Sequence, residues 1–469
     1  MVENIEYKGQ WFLPSSKDRI TGILIYDKNE GSSLELFGNF GESLFNSTFN
    51  NEVTIIHGIT SDSKQITLYR CFITKEQGSK LIQGQESGIS STIYKVNYIL
   101  EGVHIDSLEE MKFQKITSEI HNLDEWIGVS GFEISKINNK DFELNVNYKL
   151  PESIAFIVND KLEGQFNFLI DPPSSSIYSK NVSLVQRVEI TISSVKRYSL
   201  EELLKYLFQF QNFLILALYN RTYPICISLY SDNFMKDYDH VKAIKKIKLY
   251  FSISNSNRIV KSKSYLDMLF GYRHIQDEFS IIIKKWYEKY ELLEPAFNLL
   301  FEQFYNNERF TENTFLNLAQ AAETFHARIH NHTRMPKEDF KKMKDEICEL
   351  APEKHHAWLK DQFNFGNNLN LHTRLSELVS KYSNTVLDKI IGNKEDFVNQ
   401  VKWSRNYYTH YSTSGAKQAL KGTALFSLTE KLKILLVCAF LVEVGFDKEK
   451  LEKLLEHNKY RFFYHLVKW

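Results

Sequence analysis

The sequence predicts an α+β chain: an N-terminal antiparallel β-rich domain (a sandwich or curved sheet), a mixed segment, and a C-terminal all-α helical bundle. Three observations carry this. Short apolar runs with rough period-2 alternation recur through the first ~195 residues. The period changes at Ser199, and from Tyr265 onward nearly every segment has helical spacing. The expected domains are 1–197, 198–294 and 295–469, the last boundary falling near Pro295.

In the β-rich part, "RITGILIYD" (19–27) and "SSLELFG" (32–38) flank the turn-rich "KNEG". "NEVTIIHG", "QITLYRCFI", "STIYKVNYIL", "DFELNVNYKL" and "SLVQRVEITI" continue the pattern, while 104–135 is less regular and can hold a short helix. Ser199 with Glu202 three positions on forms a capping-box pattern before an apolar run, so a helix starts there. "YPICISLYS" and "IKLYFSI" then read as two strands. In 311–330, Phe315, Leu318, Ala322, Phe325 and Ile329 make one apolar stripe at 3-4-3-4 spacing. A second helix is predicted from Lys394 to Tyr411, and a third, over 425–445, is apolar enough to be central in a bundle.

Composition narrows the class without naming a function. At 469 residues, with 43% hydrophobic and 14% aromatic content, the chain is globular rather than disordered. Lys plus Arg and Asp plus Glu are 58 each, so net charge is silent about a nucleic-acid partner. Four dispersed cysteines (Cys71, Cys226, Cys348, Cys438) with no C-x-x-C pair argue against a zinc ribbon or disulfide scaffold, and they read as core residues of a reducing compartment. No secretory signal is evident, and the longest clean apolar run, 434–442, is about half a membrane span. A soluble cytoplasmic protein with no membrane partner is the expectation.

The stretch "WSRNYYTHYSTSG" (403–415) concentrates chemistry. Arg405 and His410, five residues apart, are separated on a helix by ~7.5 Å of rise and about 140° of rotation. That spacing alone also suits an ordinary helix end with a histidine near the negative pole of the dipole. The surroundings add to it: between Phe397 and Thr429 there is no Asp or Glu, while Lys402, Arg405, Lys417 and Lys421 supply positive charge. Trp403, Tyr407, Tyr408 and Tyr411 lie beside them, a composition suited to phosphate attraction and base stacking as well as to packing. RNA can be cut when its own 2′-hydroxyl attacks the adjacent phosphate. Histidine can take the proton, and arginine can stabilise the charged phosphorane. Asn406 can orient either group.

"RNYYTH" resembles the R-x4-H motif of HEPN-domain ribonucleases, and it falls late in a helical C-terminal domain, as it does there. The N-terminal "YKGQWFLP…GILIYD…GSSLELFG…VTIIHGIT…ITLYRCF", with "QAAETFHAR" in an early helix of the bundle, is similar to the ApeA group of anti-phage HEPN proteins. The resemblance implies a metal-independent endoribonuclease of abortive infection with catalytic Arg405, His410 and Asn406, and no cofactor. It further implies a homodimer or higher oligomer in which two such helices meet in one composite site. Host RNA would be cut, transfer RNA being a reasonable substrate, to leave a 2′,3′-cyclic phosphate. The N-terminal domain would sense a phage protein or restrain the nuclease. Lys402, Tyr407, Tyr408, Tyr411, Lys417 and Lys421 are the expected RNA contacts. HEPN toxins regulated by tyrosine nucleotidylation carry Tyr two residues after the motif His; here that position is Ser412, so such regulation is not expected.

Glu323, His326, His330 and His332 have helix-compatible ligand spacing, but a di-metal bundle needs a second such motif and none is present, so no metal is assigned. Glu323 is instead a candidate to support the nuclease site from a neighbouring helix. The lysines of 337–344 and "KHH" at 354–356 read as solvated surface. A non-catalytic protein that binds a ligand or phage component, its bundle serving dimerisation or RNA binding, is the alternative.

Overall fold

The computed structural model describes residues 4–27, 30–40, 52–77, 80–82, 85–87, 90–138, 143–171, 180, 182–238, 241–251, 263–305, 312–330, 332–413 and 415–466. They form two compact units, Met1–Ser280 and Ile281–Trp469. Part of the turn at 28–31, the last two residues of "IKLYFSI" and Thr311 lie outside the described residues.

The first unit is built from β1 (Ile5–Phe12), β2 (Ile20–Asp27), β3 (Gly31–Leu36), β4 (Glu52–Thr60), β5 (Gln65–Gln77), β6 (Lys80–Ile82), β7 (Gln85–Ser87), β8 (Ser91–Glu101) and β9 (Lys112–Ile120). α1 (Leu123–Ile127) follows, then β10 (Phe132–Asn138), β11 (Glu143–Tyr148), β12 (Ile154–Asn159), β13 (Leu162–Asp171) and β14 (Val185–Ser199). After α2 (Leu200–Leu218) come β15 (Pro224–Tyr230), β16 (Met235–Tyr238), β17 (Val241–Ile244) and β18 (Ile247–Tyr250). Among the described residues, one antiparallel sheet runs β12-β13-β14-β9-β15-β18-β8-β3-β2-β1-β4-β5, and β5 pairs back with β8. Strands β8, β3, β2, β1, β4 and β5 therefore close into a six-stranded barrel, and the other six extend it from β8 as an open sheet.

β8 is long enough to serve both parts. On one edge its first half pairs with β3 and its last residues with β18; its other edge pairs with β5. The alternation of the sequence fills the barrel with Trp11, Leu24, Leu34, Leu36, Ile56, Ile66, Leu68, Tyr94, Val96 and Ile99. Trp11 lies opposite Gly58, where any Cβ would overlap the indole, so glycine is required there. A sandwich or curved sheet was the expectation; curvature here goes to closure, because alternation reports which face is buried and not which strand is the partner.

The extension sheet is backed by α2, whose Ser199 cap is as the pattern predicts: Ser199 Oγ accepts from the Glu202 N–H (3.3 Å) and Glu202 returns to the Ser199 N–H (2.9 Å). Trp126 of α1 is fully buried, its ring 5.9–6.2 Å from those of Phe166, Phe210, Phe213, Tyr272 and Phe279. The segment 104–135 holds the expected short helix and also strand β9. β15 and β18 belong to the same sheet as the N-terminal strands.

The second unit contains α3 (Phe279–Tyr305, its first two residues in the first unit), α4 (Glu312–His330), α5 (Lys337–Leu350), α6 (His356–Phe363) and α7 (Leu371–Tyr382). α8 (Thr385–Ile391), α9 (Lys394–His410), α10 (Gly422–Glu443) and α11 (Lys448–Asn458) complete it. Pro295 lies inside α3. Asn370, Asn384, Asn393 and Asp447 cap α7, α8, α9 and α11, each side chain accepting a backbone N–H of the first turn. α10 is the central helix, as its apolar sequence predicts: Phe440 stacks on Phe297 of α3 (4.3 Å) and meets Phe325 of α4 edge-on (4.8 Å). Glu443, at its end, accepts hydrogen bonds from Lys289 (2.5 Å), Tyr382 (2.7 Å) and Lys381 (3.0 Å).

The cysteines do not all fall in the core. Cys71 and Cys438 are buried, Cys348 is partly covered, and Cys226 is exposed at an outward position of β15.

Candidate functional site

Phe397, Val398, Val401, Ser404 and Tyr408 form the buried face of α9. Their spacing leaves the next residue round, Arg405, at the margin of that face, with its side chain one-third exposed. The helix ends at His410 because Tyr411 takes a left-handed conformation (φ 47°), its N–H bonded to the Tyr407 carbonyl.

Two buried groups then fold the following loop back along the helix. Ser404 Oγ accepts from the Leu420 N–H (3.1 Å), and the Tyr408 hydroxyl donates to the Leu420 carbonyl (2.9 Å). This clamp places Lys421 with its ammonium 5.3 Å from the Tyr407 ring centroid. The rings of Tyr407, Tyr408 and Tyr411 lie 5.0–6.1 Å from one another.

Arg405 is held from α4. Its Nη2 lies 3.3 Å from Glu323 Oε1, and its Nη1 donates to Asn406 Oδ1 (3.4 Å). The structure thus brings Glu323, Arg405 and Asn406 together, and it leaves His410 exposed at the helix end. Among the described residues no side chain bonds the His410 ring. Of the expected RNA contacts, Tyr411, Lys417 and Lys421 are exposed, while Lys402 and Tyr407 are partly covered. Tyr408 is the exception. It is buried, its ring 6.3 Å edge-on from Phe315 and its hydroxyl committed to Leu420, so no ring face is open to a base and it serves packing instead.

The histidines of α4, and His332 just beyond its end, have other partners. His326, fully buried, bonds Glu377 of α7 (2.7 Å); His332 bonds the same carboxylate (3.3 Å); and His330 stacks on His326 (4.6 Å). Burial pushes His326 and His330 below the usual imidazole range. Burial alone would raise the Glu377 carboxyl, but the hydrogen bonds from His326 and His332 hold it below its usual value. With Glu323 committed to Arg405, the four-residue set is not brought together as read: the three histidines stay near one another, 4.6–6.1 Å between ring centroids, around Glu377 instead. Among the described residues no group of three or more His, Cys, Asp or Glu is placed to hold a metal ion. Sequence reasoning did not find Ser404 and Glu377. Ser404 falls on the buried 397–401–404–408 stripe and could have been flagged as a buried hydroxyl needing a partner; nothing local marks Glu377.

Two family models match the chain: ApeA N-terminal domain 1 over residues 6–286 and Apea-like HEPN over residues 316–450. A β-rich unit followed by a HEPN-type helical bundle is the class that fold and matches define. The first match spans more than half of the sequence, and the chain belongs to the ApeA family. No curated protein and no solved structure matches it. No helix among the described residues is long and apolar enough to cross a membrane.

Proposed function

We propose that the chain is an anti-phage endoribonuclease whose centre is Arg405 and His410, and that two copies share one site. The observation that carries this is the end of α9. There a guanidinium steadied by Glu323 and Asn406 sits at the edge of a stretch with no acidic residue, five positions before an exposed imidazole.

In the reaction His410 takes the proton of a ribose 2′-hydroxyl. The 2′-oxygen bonds to the adjacent phosphorus, and the P–O5′ bond breaks. The leaving 5′-oxygen takes up a proton, and the products are a 2′,3′-cyclic phosphate and a 5′-hydroxyl. Arg405 stabilises the extra charge of the phosphorane. Asn406 orients the guanidinium and Glu323 positions it, while Tyr407, Tyr411, Lys402, Lys417 and Lys421 receive the bases and backbone of the RNA. Two residues about 140° apart on one helix do not share a face, and Arg405 of one copy set beside His410 of another would bring both to one phosphate. Host RNA, transfer RNA included, is the proposed substrate, and the β-rich unit the element that senses infection or restrains cleavage.

The test is RNA cleavage by the purified full-length protein in EDTA. The wild type should cut and leave cyclic ends, and Arg405→Ala and His410→Ala should each lose at least about 10²-fold. Undiminished cleavage by His410→Ala, or RNA binding without cleavage by the wild type, would replace this reading with the non-catalytic one.

A further inference from the structure

Residues 335–367 form a helical excursion from the bundle, closed at its neck by one residue. Asn367 accepts from the Met335 N–H (3.1 Å), donates to the Met335 carbonyl (3.0 Å), and its own carbonyl accepts from the Arg334 N–H (3.0 Å). Beyond this clasp run α5 and α6, and neither buries a single residue. A helix this amphipathic ordinarily owes its stability to a covered apolar face. α5 carries Phe340, Met343, Ile347 and Leu350 at 3-4-3 spacing. α6 covers only part of that stripe, Phe363 meeting Phe340 edge-on at 6.1 Å. Leu350 is 88% exposed and Trp358 62%, both at the connected end of the hairpin, and Ile347 is exposed one turn away.

The charges beside the stripe say what covers it. One flank carries Lys337 and Lys344, the other Asp339 and Glu346, each pair seven residues apart. With the stripe on the a and d positions of a heptad, these are e and g, basic on one side and acidic on the other. Among the described residues none of the charged side chains of α5 has an ion-pair partner. A two-fold rotation about an axis parallel to α5 sets the basic flank of one copy against the acidic flank of another, with Asp339 facing Lys344 of the second copy. A polyanion fits poorly: from 337 to 363 the hairpin has six lysines (337, 341, 342, 344, 354, 360) against seven carboxylates (338, 339, 345, 346, 349, 353, 361), a net charge of −1.

We infer that the α5–α6 hairpin is a self-association surface that pairs in parallel with the same hairpin of a second copy, as a small four-helix layer. The surface is separate from α9 and does not depend on any catalytic role for it.

The test is sedimentation velocity on the full-length protein at micromolar concentration. The wild type should associate, and Ile347→Glu with Leu350→Glu should weaken that association at least tenfold. Circular dichroism checks that this variant keeps its helix content. Two charge variants address the register without touching the apolar stripe. Lys337→Glu with Lys344→Glu makes both flanks acidic, and Asp339→Lys with Glu346→Lys makes both basic. Each alone should associate less than the wild type, and an equimolar mixture should recover a mixed assembly. A monomeric wild type, an Ile347/Leu350 variant with unchanged mass, or charge variants that associate as before and gain nothing on mixing would each overturn the inference.

Discussion

Tyr408 and Arg405 are three residues apart on α9, yet they face different surroundings. Tyr408 spends its hydroxyl on the Leu420 carbonyl inside the unit, while Arg405 reaches out to Glu323. Tyr408→Phe should therefore cost about 1 kcal/mol of stability, the usual worth of one buried hydrogen bond, and should loosen the loop that carries Lys417 and Lys421. Chemical denaturation would read the first effect, and faster amide exchange over 412–421 the second. At this level Arg405 and His410 were legible as a motif. Tyr408 was expected among the RNA contacts, and its packing shows only in the structure, where it continues the buried 397–401–404 face. The Arg405–Glu323 pair was not legible either: the two lie 82 positions apart in the sequence, and only the packing of α4 against α9 sets their distance.

Caps and periodicity fixed most elements where the signal is local. The Ser199 box starts α2, Asn393 starts α9, and the run from 425 marks α10. Strands β9, β12 and β13 were missed or blurred because glycine, charge and short length mask their alternation. Interactions between helices were silent in the sequence, and Glu443 is the clearest case, joining α10 to α3 and α7. Burial by itself would raise its carboxyl, but hydrogen bonds from Lys289, Tyr382 and Lys381 hold it down at about 2. A carboxyl lowered in the folded state adds stability above its unfolded value, about 4.3, and that contribution is lost as pH falls through the folded value. Glu443→Gln should thus cost about 2–3 kcal/mol at pH 7 and progressively less from about pH 4.5 toward pH 2. Urea unfolding at both ends of that range checks the sign; an equal loss at pH 7 and at pH 2 would show that the carboxylate charge is not what matters.

At the level of the molecule, the order of a β-rich part and a helical bundle followed from hydropathy period, but the closed barrel did not. Closure rests on β5 meeting β8, a pairing no local pattern encodes. Assembly belongs to this scale too: on the proposed reading, Arg405 of one copy works with His410 of a second copy. The most direct measurement mixes full-length Arg405→Ala protein with His410→Ala protein, each inactive alone, and assays RNA cleavage after subunit exchange. A site shared between copies predicts recovered cleavage, because the mixed pair brings one intact arginine to one intact histidine. A mixture that has exchanged subunits and stays as inactive as either variant, while the wild type cuts, would contradict it.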